Sequence, residues 1–123
     1  MKFNQRLKQD LEKYKEYVIL VEGKKDVLAL KSLGFVKVYA IHKTSVSLRE
    51  RIEEISKEIS KKEKVCILTD LDRQGKKLYI IVKPILQELG IKLDSSLRGL
   101  LIKSKLSHIE GLNKFMQKLE QIH

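Results

Sequence analysis

The chain has 123 residues, 42% of them hydrophobic and 34% charged, with a single cysteine and no tryptophan. This is the size of one domain with its own core, too small for a catalytic domain joined to a separate recognition domain and too apolar for a disordered chain. Lys and Arg number 26 against 16 Asp and Glu, a net charge of +10, which points to a polyanionic partner, nucleic acid ahead of an acidic membrane surface.

Phe3, Leu7, Leu11 and Tyr14 recur at helical spacing and predict an amphipathic helix over 3–16. The run YVILV, 17–21, reads as a short buried strand ending at Glu22-Gly23. A helix over about 24–33 closes at Gly34. FVKVYAI, 35–41, predicts the second strand. Ser47 and Glu50 form a capping box, opening a helix that aligns Leu48, Ile52, Ile55 and Ile59 on one face. VCILT, 65–69, predicts the third strand, followed at once by Asp70-Leu71-Asp72. Leu78, Ile81, Val82, Ile85 and Leu89 mark the next helix, in which Pro84 is expected to force a kink or a restart. A short fourth strand is expected over 91–93. Residues 95–107 show no clear period. Ser107 and Glu110 form a second capping box ahead of a last helix over about 108–122.

Short buried strands alternating with helices define an α/β, Rossmann-like chain, with about four parallel strands and helices on both faces of the sheet. A single domain over 1–123 is expected, with a core over about 17–95. No apolar run is long enough to span a bilayer, and the polar start MKFNQRLKQD is unlike a secretory signal. A lone Cys66 excludes an internal disulfide and a multi-cysteine zinc site, so a reducing cytoplasm fits best.

In an open parallel sheet the working site lies outside the carboxyl ends of the strands. Glu22 ends the first strand, and Asp70 and Asp72 follow the third. Were those strands neighbours, the three carboxylates would meet and repel unless a cation neutralised them. A small set of hard oxygen ligands suits Mg²⁺, with Mn²⁺ the alternative, and leaves room for phosphate oxygens on the ion. Lys24, Lys25, Arg73, Lys76 and Lys77 flank these acids. Some of them open helices, where backbone N–H groups favour anions.

The segments VILVEGKKD, Val18 to Asp26, and CILTDLDRQG, Cys66 to Gly75, together resemble the Toprim domain family. There an apolar strand ends in Glu-Gly, and a later one ends in Asp-x-Asp with a glycine shortly after. The local form is similar to that of stand-alone Toprim proteins and of the ribonuclease that matures 5S ribosomal RNA. Toprim domains also occur in topoisomerases and primases. The resemblance covers about residues 17–95. It implies that Glu22 is a general acid or base and that Asp70 and Asp72 bind Mg²⁺, the three acids forming one catalytic and metal-binding set. It also implies that Gly23 and Gly75 permit tight turns. At this length the tyrosine domain of topoisomerases, the nucleotide-handling domain of primases and the recognition region of the 5S-maturing enzyme are not expected. A partner protein or a second copy would then help choose the target.

The expected function is Mg²⁺-dependent phosphodiester chemistry on RNA or DNA, most simply nuclease-type cleavage. The alternative is a catalytically silent Toprim module that binds nucleic acid or recruits a partner. A haloacid-dehalogenase phosphatase also uses Asp-x-Asp, but on its first strand, and leaves Glu22 without a role. Arg98, Lys103, Lys105 and His108 read as a basic tail that tracks nucleic acid, with Arg98 counted among the phosphate contacts. Asp94, ending the expected fourth strand, is a candidate extra ligand, and His42 follows the second strand on the same edge as the acids. Cys66, mid-strand, reads as a small core residue.

Overall fold

The computed structural model describes residues 6–104 and 108–112. The expected helix start at Phe3, the capping residue Ser107, the tail residue Lys105 and positions 113–122 of the expected last helix lie outside the described residues.

All four residues of β1 (Val18–Val21) are buried. Side chains alternate across a strand, so Ile19 and Val21 enter one core while Val18 and Leu20 enter another. A strand covered on both faces must be apolar throughout, which is why VILV carries no polar residue. Its neighbours are β2 (Lys37–Ala40) on one side and β3 (Val65–Ile67) on the other. Both pairings are parallel. Leu20 lies opposite Tyr39 of β2 and Ile67 of β3.

The first core is closed by α1 (Arg6–Glu12), α2 (Lys24–Ser32), α5 (Ser96–Lys103) and the segment 109–112, which contribute Leu7, Leu11, Leu30, Leu97, Leu101, Ile109 and Leu112. Cys66 belongs to this layer, and burial pushes its thiol up to about 12, so it packs as a small apolar group. The second core is closed by α3 (Leu48–Ser56) and α4 (Arg73–Glu88), through Ile52, Ile55, Val82 and Leu86. The Ser47 cap forms as the sequence predicts. Its Oγ accepts the Glu50 N–H at 3.2 Å and donates to the Glu50 carboxylate at 3.1 Å.

The structure corrects or completes the expected elements in three places. The sheet has three strands, not four: Leu93 makes one isolated parallel bridge to Val65, flanked by Val65 N–H to Lys92 O and Asp94 N–H to Val65 O. The extended stretch cannot lengthen because the Asp94 carboxylate accepts the Ser96 N–H at 2.8 Å and turns the chain into α5. Of the two outcomes expected at Pro84, the restart does not occur, since α4 continues through it as one helix. Pro84 lies on the exposed side, so the missing N–H leaves a carbonyl that water can reach. The stretch without a clear period contains α5, whose Leu97 and Leu101 are buried four residues apart.

The strand order also locates the functional crevice. From β1 the chain goes to β2 on one side, then crosses to β3 on the other. The β1/β3 gap at the strands' carboxyl ends is therefore the topological switch point, where ligands bind in open α/β sheets.

Candidate metal and phosphoryl site

Glu22 leaves the tip of β1, and Asp70 and Asp72 follow the end of β3, so the parallel register alone brings them to the switch point. The contact is direct: the Asp70 N–H donates to Glu22 Oε2 at 2.7 Å, across 48 residues of sequence. The other acids are held in the same manner. Asp70 Oδ1 accepts the Ile109 N–H at 2.9 Å, and Asp72 Oδ1 accepts the Gly75 N–H at 2.8 Å as the cap of α4. Each of the three carboxylates thus has one oxygen fixed by a backbone donor, and the second oxygen of Asp72 faces His108. This is a preorganised donor set, and its hard oxygens fit a divalent cation.

Among the described residues, Asp70, Asp72 and His108 form a group whose ligand atoms all lie within 4.8 Å of one another. His108 Nε2 is 3.3 Å from Asp72 Oδ2. Glu22 stands beside this group, tied to the Asp70 backbone. Glu22, Asp70 and His108 line a pocket of about 400 Å³ together with Gly23, Lys24, Lys25, Asp26, His42 and Glu110. Lys24 and Lys25 are exposed in its wall at the start of α2. Arg73, Lys76 and Lys77 are exposed on the first turns of α4, outside that wall. His42 also borders a larger neighbouring groove of about 890 Å³, lined by Lys24, Leu28, Tyr39, Lys43 and Arg51 among others.

Asp26, in the pocket wall, was not singled out from the sequence. Its carboxylate accepts the Gly23 N–H at 3.1 Å, closing the turn out of β1. Burial raises its pKa above the ordinary value, and the nearby Asp70, Glu22 and Glu110 charges push the same way against the Gly23 hydrogen bond. A carboxyl with a raised folded pKa weakens the fold as pH rises from the unfolded pKa through the folded one. Asp26→Asn, which keeps an acceptor for Gly23, is therefore expected to raise the Tm of the metal-free protein at neutral pH. The difference from wild type should close as pH falls through the carboxylate range. A thermal-denaturation series against pH measures it, and an Asn variant less stable than wild type at pH 7 would contradict it.

Two sequence expectations fall elsewhere in the fold. Arg98 is not a surface phosphate contact. It is 6% exposed beneath the acidic loop, where its guanidinium donates to Thr69 O at 2.6 Å, Thr69 Oγ1 at 3.1 Å and Asp70 O at 3.1 Å. It also lies 4.6 Å from the Tyr79 ring centroid. Burial holds its pKa below the usual arginine value, against the pull of Tyr79, Glu22 and Asp70. The helical packing of Leu97 and Leu101 carries Arg98 inward, which the unperiodic sequence did not reveal. Asp94 is not near the acids: the Leu93 bridge sets it level with the beginning of β3, far from the tip, and its carboxylate is spent on Ser96.

The glycines also divide. A Cβ on Gly75 would meet the Asp70 carbonyl oxygen at 1.7 Å, so close backbone approach requires glycine there. Gly23 is extended, φ −143°, and a Cβ on it would touch nothing within 4 Å. Turn geometry does not demand glycine at that position, and what Gly23 does is line the acidic pocket. His108 is the site residue that sequence reasoning misplaced. Its only signal was its position beside the apolar Ile109, which says nothing about where that segment docks.

An α/β switch-point crevice with a glutamate from the first strand and an Asp-x-Asp from the third is the arrangement of one domain class. The chain belongs to the Toprim domain family, whose model matches residues 17–96. It is similar to a UPF0292 protein of Methanosarcina barkeri, 32% identical over 125 residues, covering 94% of this chain and 83% of that protein. A UPF0292 protein of Thermococcus sibiricus is 35% identical over 109 residues, covering 87% and 82%. The solved structure of a protein from Aquifex aeolicus superposes with a TM-score of 0.72 at 29% identity, covering 90% of this chain and 99% of that one. The family and the acidic group together support a divalent-metal-dependent, nucleic-acid-related function. Among the described residues no helix is long and apolar enough to cross a membrane.

Proposed function

We propose that the chain is a single-domain, Mg²⁺- or Mn²⁺-dependent nuclease that hydrolyses phosphodiester bonds of RNA or DNA. The observation that carries this reading is the three carboxylates gathered at the β1/β3 switch point, each with one oxygen held by a backbone N–H. Asp70 and Asp72 hold the ion, which when bound stabilises charge on the phosphoryl oxygens. Glu22 moves the proton. With Oε2 fixed by Asp70, its Oε1 accepts a proton from the attacking water as the new P–O bond forms, and solvent water protonates the departing sugar oxygen as the old P–O bond breaks. Lys24 and Lys25, in the pocket wall, neutralise the non-bridging oxygens. Arg73, Lys76 and Lys77 follow the flanking phosphates without reading sequence. Backbone contacts of this kind do not choose a sequence, so a second copy or a partner protein selects the target.

The test is cleavage of labelled single- and double-stranded RNA and DNA with Mg²⁺, Mn²⁺ or EDTA, paired with binding measured across a salt series. Metal-dependent products and binding that weakens with salt are expected. Salt-sensitive binding without cleavage on any substrate or metal would make the chain a silent module instead. Absence of both binding and cleavage would remove the nucleic-acid reading.

A further inference from the structure

The segment that contributes His108 lies beyond the part of the chain that matches the family model, which ends at residue 96. It is nevertheless fixed at the acidic site by two separate contacts. The Ile109 N–H holds Asp70 Oδ1 at 2.9 Å, and His108 Nε2 faces Asp72 Oδ2 at 3.3 Å. Ile109 and Leu112 anchor it, both buried in the core layer that also holds Leu97 and Leu101. An exposed imidazole is thereby carried to within ligand-group distance of both aspartates. Two ligands at right angles on one ion, each roughly 2.2 Å from it, lie about 3 Å apart. The Asp72–His108 separation needs little adjustment to reach that spacing.

We infer that His108 is a nitrogen ligand completing an Asp70–Asp72–His108 site, which selects a first-row transition-metal dication, represented by Mn²⁺, over Mg²⁺. The inference rests on the reading that Asp70 and Asp72 bind metal, and adds the donor that decides which metal. Carboxylates and water serve Mg²⁺ and Mn²⁺ alike, whereas imidazole favours the transition metals over a hard ion that dehydrates reluctantly. The imidazole also ties the metal to the docking of residues 108–112, since the residue that grips the ion is adjacent to the one that grips Asp70. Metal binding should then stiffen this segment as well as the strand tips.

The test uses the full chain, titrated separately with Mn²⁺ and with Mg²⁺ by calorimetry, with electron spin-echo measurements on the Mn²⁺ form. Wild type is expected to bind Mn²⁺ more tightly than Mg²⁺ and to show nitrogen hyperfine coupling. His108→Ala should weaken Mn²⁺ binding by about tenfold or more, the scale on which even outer-shell losses are felt, and abolish the nitrogen coupling. Mg²⁺ affinity should change far less. His108→Asp, which restores an oxygen donor, should recover binding without recovering the preference. Mn²⁺ affinity and nitrogen coupling unchanged in a folded His108→Ala would overturn the inference while leaving the acid pair intact as the metal site. Asp70→Asn reports on the underlying reading: if it binds both ions as wild type does, or if wild type binds neither, that reading fails and the inference with it. Near-ultraviolet circular dichroism of each variant verifies folding.

Discussion

Glu22→Gln is expected to lower metal-dependent cleavage by about 10²-fold or more, the usual scale for losing a positioned general acid or base. The substitution is nearly isosteric, and the glutamine carbonyl oxygen can still accept the Asp70 N–H that Glu22 Oε2 now accepts. Fold and strand-tip geometry should therefore survive, and what disappears is the group proposed to take the proton from water. Rates measured under single-turnover conditions isolate the chemical step, where the loss should appear. Metal affinity measured on the same variant separates two roles. Affinity close to wild type assigns Glu22 to proton transfer alone, whereas a large loss makes it a ligand as well. Cleavage at the wild-type rate would remove Glu22 from the chemistry altogether.

Gly75→Ala is expected to cost at least about 3 kcal/mol, on the order of a 10 °C fall in Tm for a chain of this size. The added methyl would sit 1.7 Å from the Asp70 carbonyl oxygen and 2.8 Å from its Cα. Backbone cannot swing aside as a flexible side chain would. The same carbonyl also accepts from Arg98, while Gly75 itself donates to Asp72 and accepts from Thr69 Oγ1 at 2.7 Å. Relieving the clash thus moves the Asp70–Asp72 loop against every contact that holds it, and divalent-metal affinity should fall with stability. Gly23→Ala is the matched control, since its Cβ meets nothing and its backbone is extended; it should stay within about 0.5 kcal/mol of wild type. Thermal denaturation of both variants decides the point. Equal, small effects at the two positions would show that the loop is far more yielding than its packing implies.

The acidic loop is built as much from below as from above. Arg98 holds the Thr69 and Asp70 carbonyls from the buried side, and the Tyr79 ring lies against its guanidinium. A charge taken out of water is tolerated where hydrogen bonds satisfy its donors, and among the described residues no buried side-chain nitrogen or oxygen lacks a partner. The net charge of +10 is therefore not all available to a polyanion. One arginine counted with the nucleic-acid contacts is a structural support under the site.

Local chemistry determined the elements. VILV and VCI are apolar on both faces, so they had to be covered strands, and Ser47 with Glu50 had to start a helix. The Glu22 and Asp70-x-Asp72 positions followed from where those strands stop, because a parallel sheet puts its strand ends on one edge. What no local pattern could state was which strands are neighbours and which later segments dock on them. Order β2-β1-β3 made Glu22 and Asp70 hydrogen-bonded neighbours. Long-range packing of Leu97, Leu101 and Ile109 into the first core sent Arg98 beneath the acids and His108 to their rim, and left Asp94 at the far end of β3. A charged residue in sequence looks the same whether it will face solvent, a carbonyl or a metal. Only the burial of its apolar neighbours, which depends on the whole chain, chooses among them.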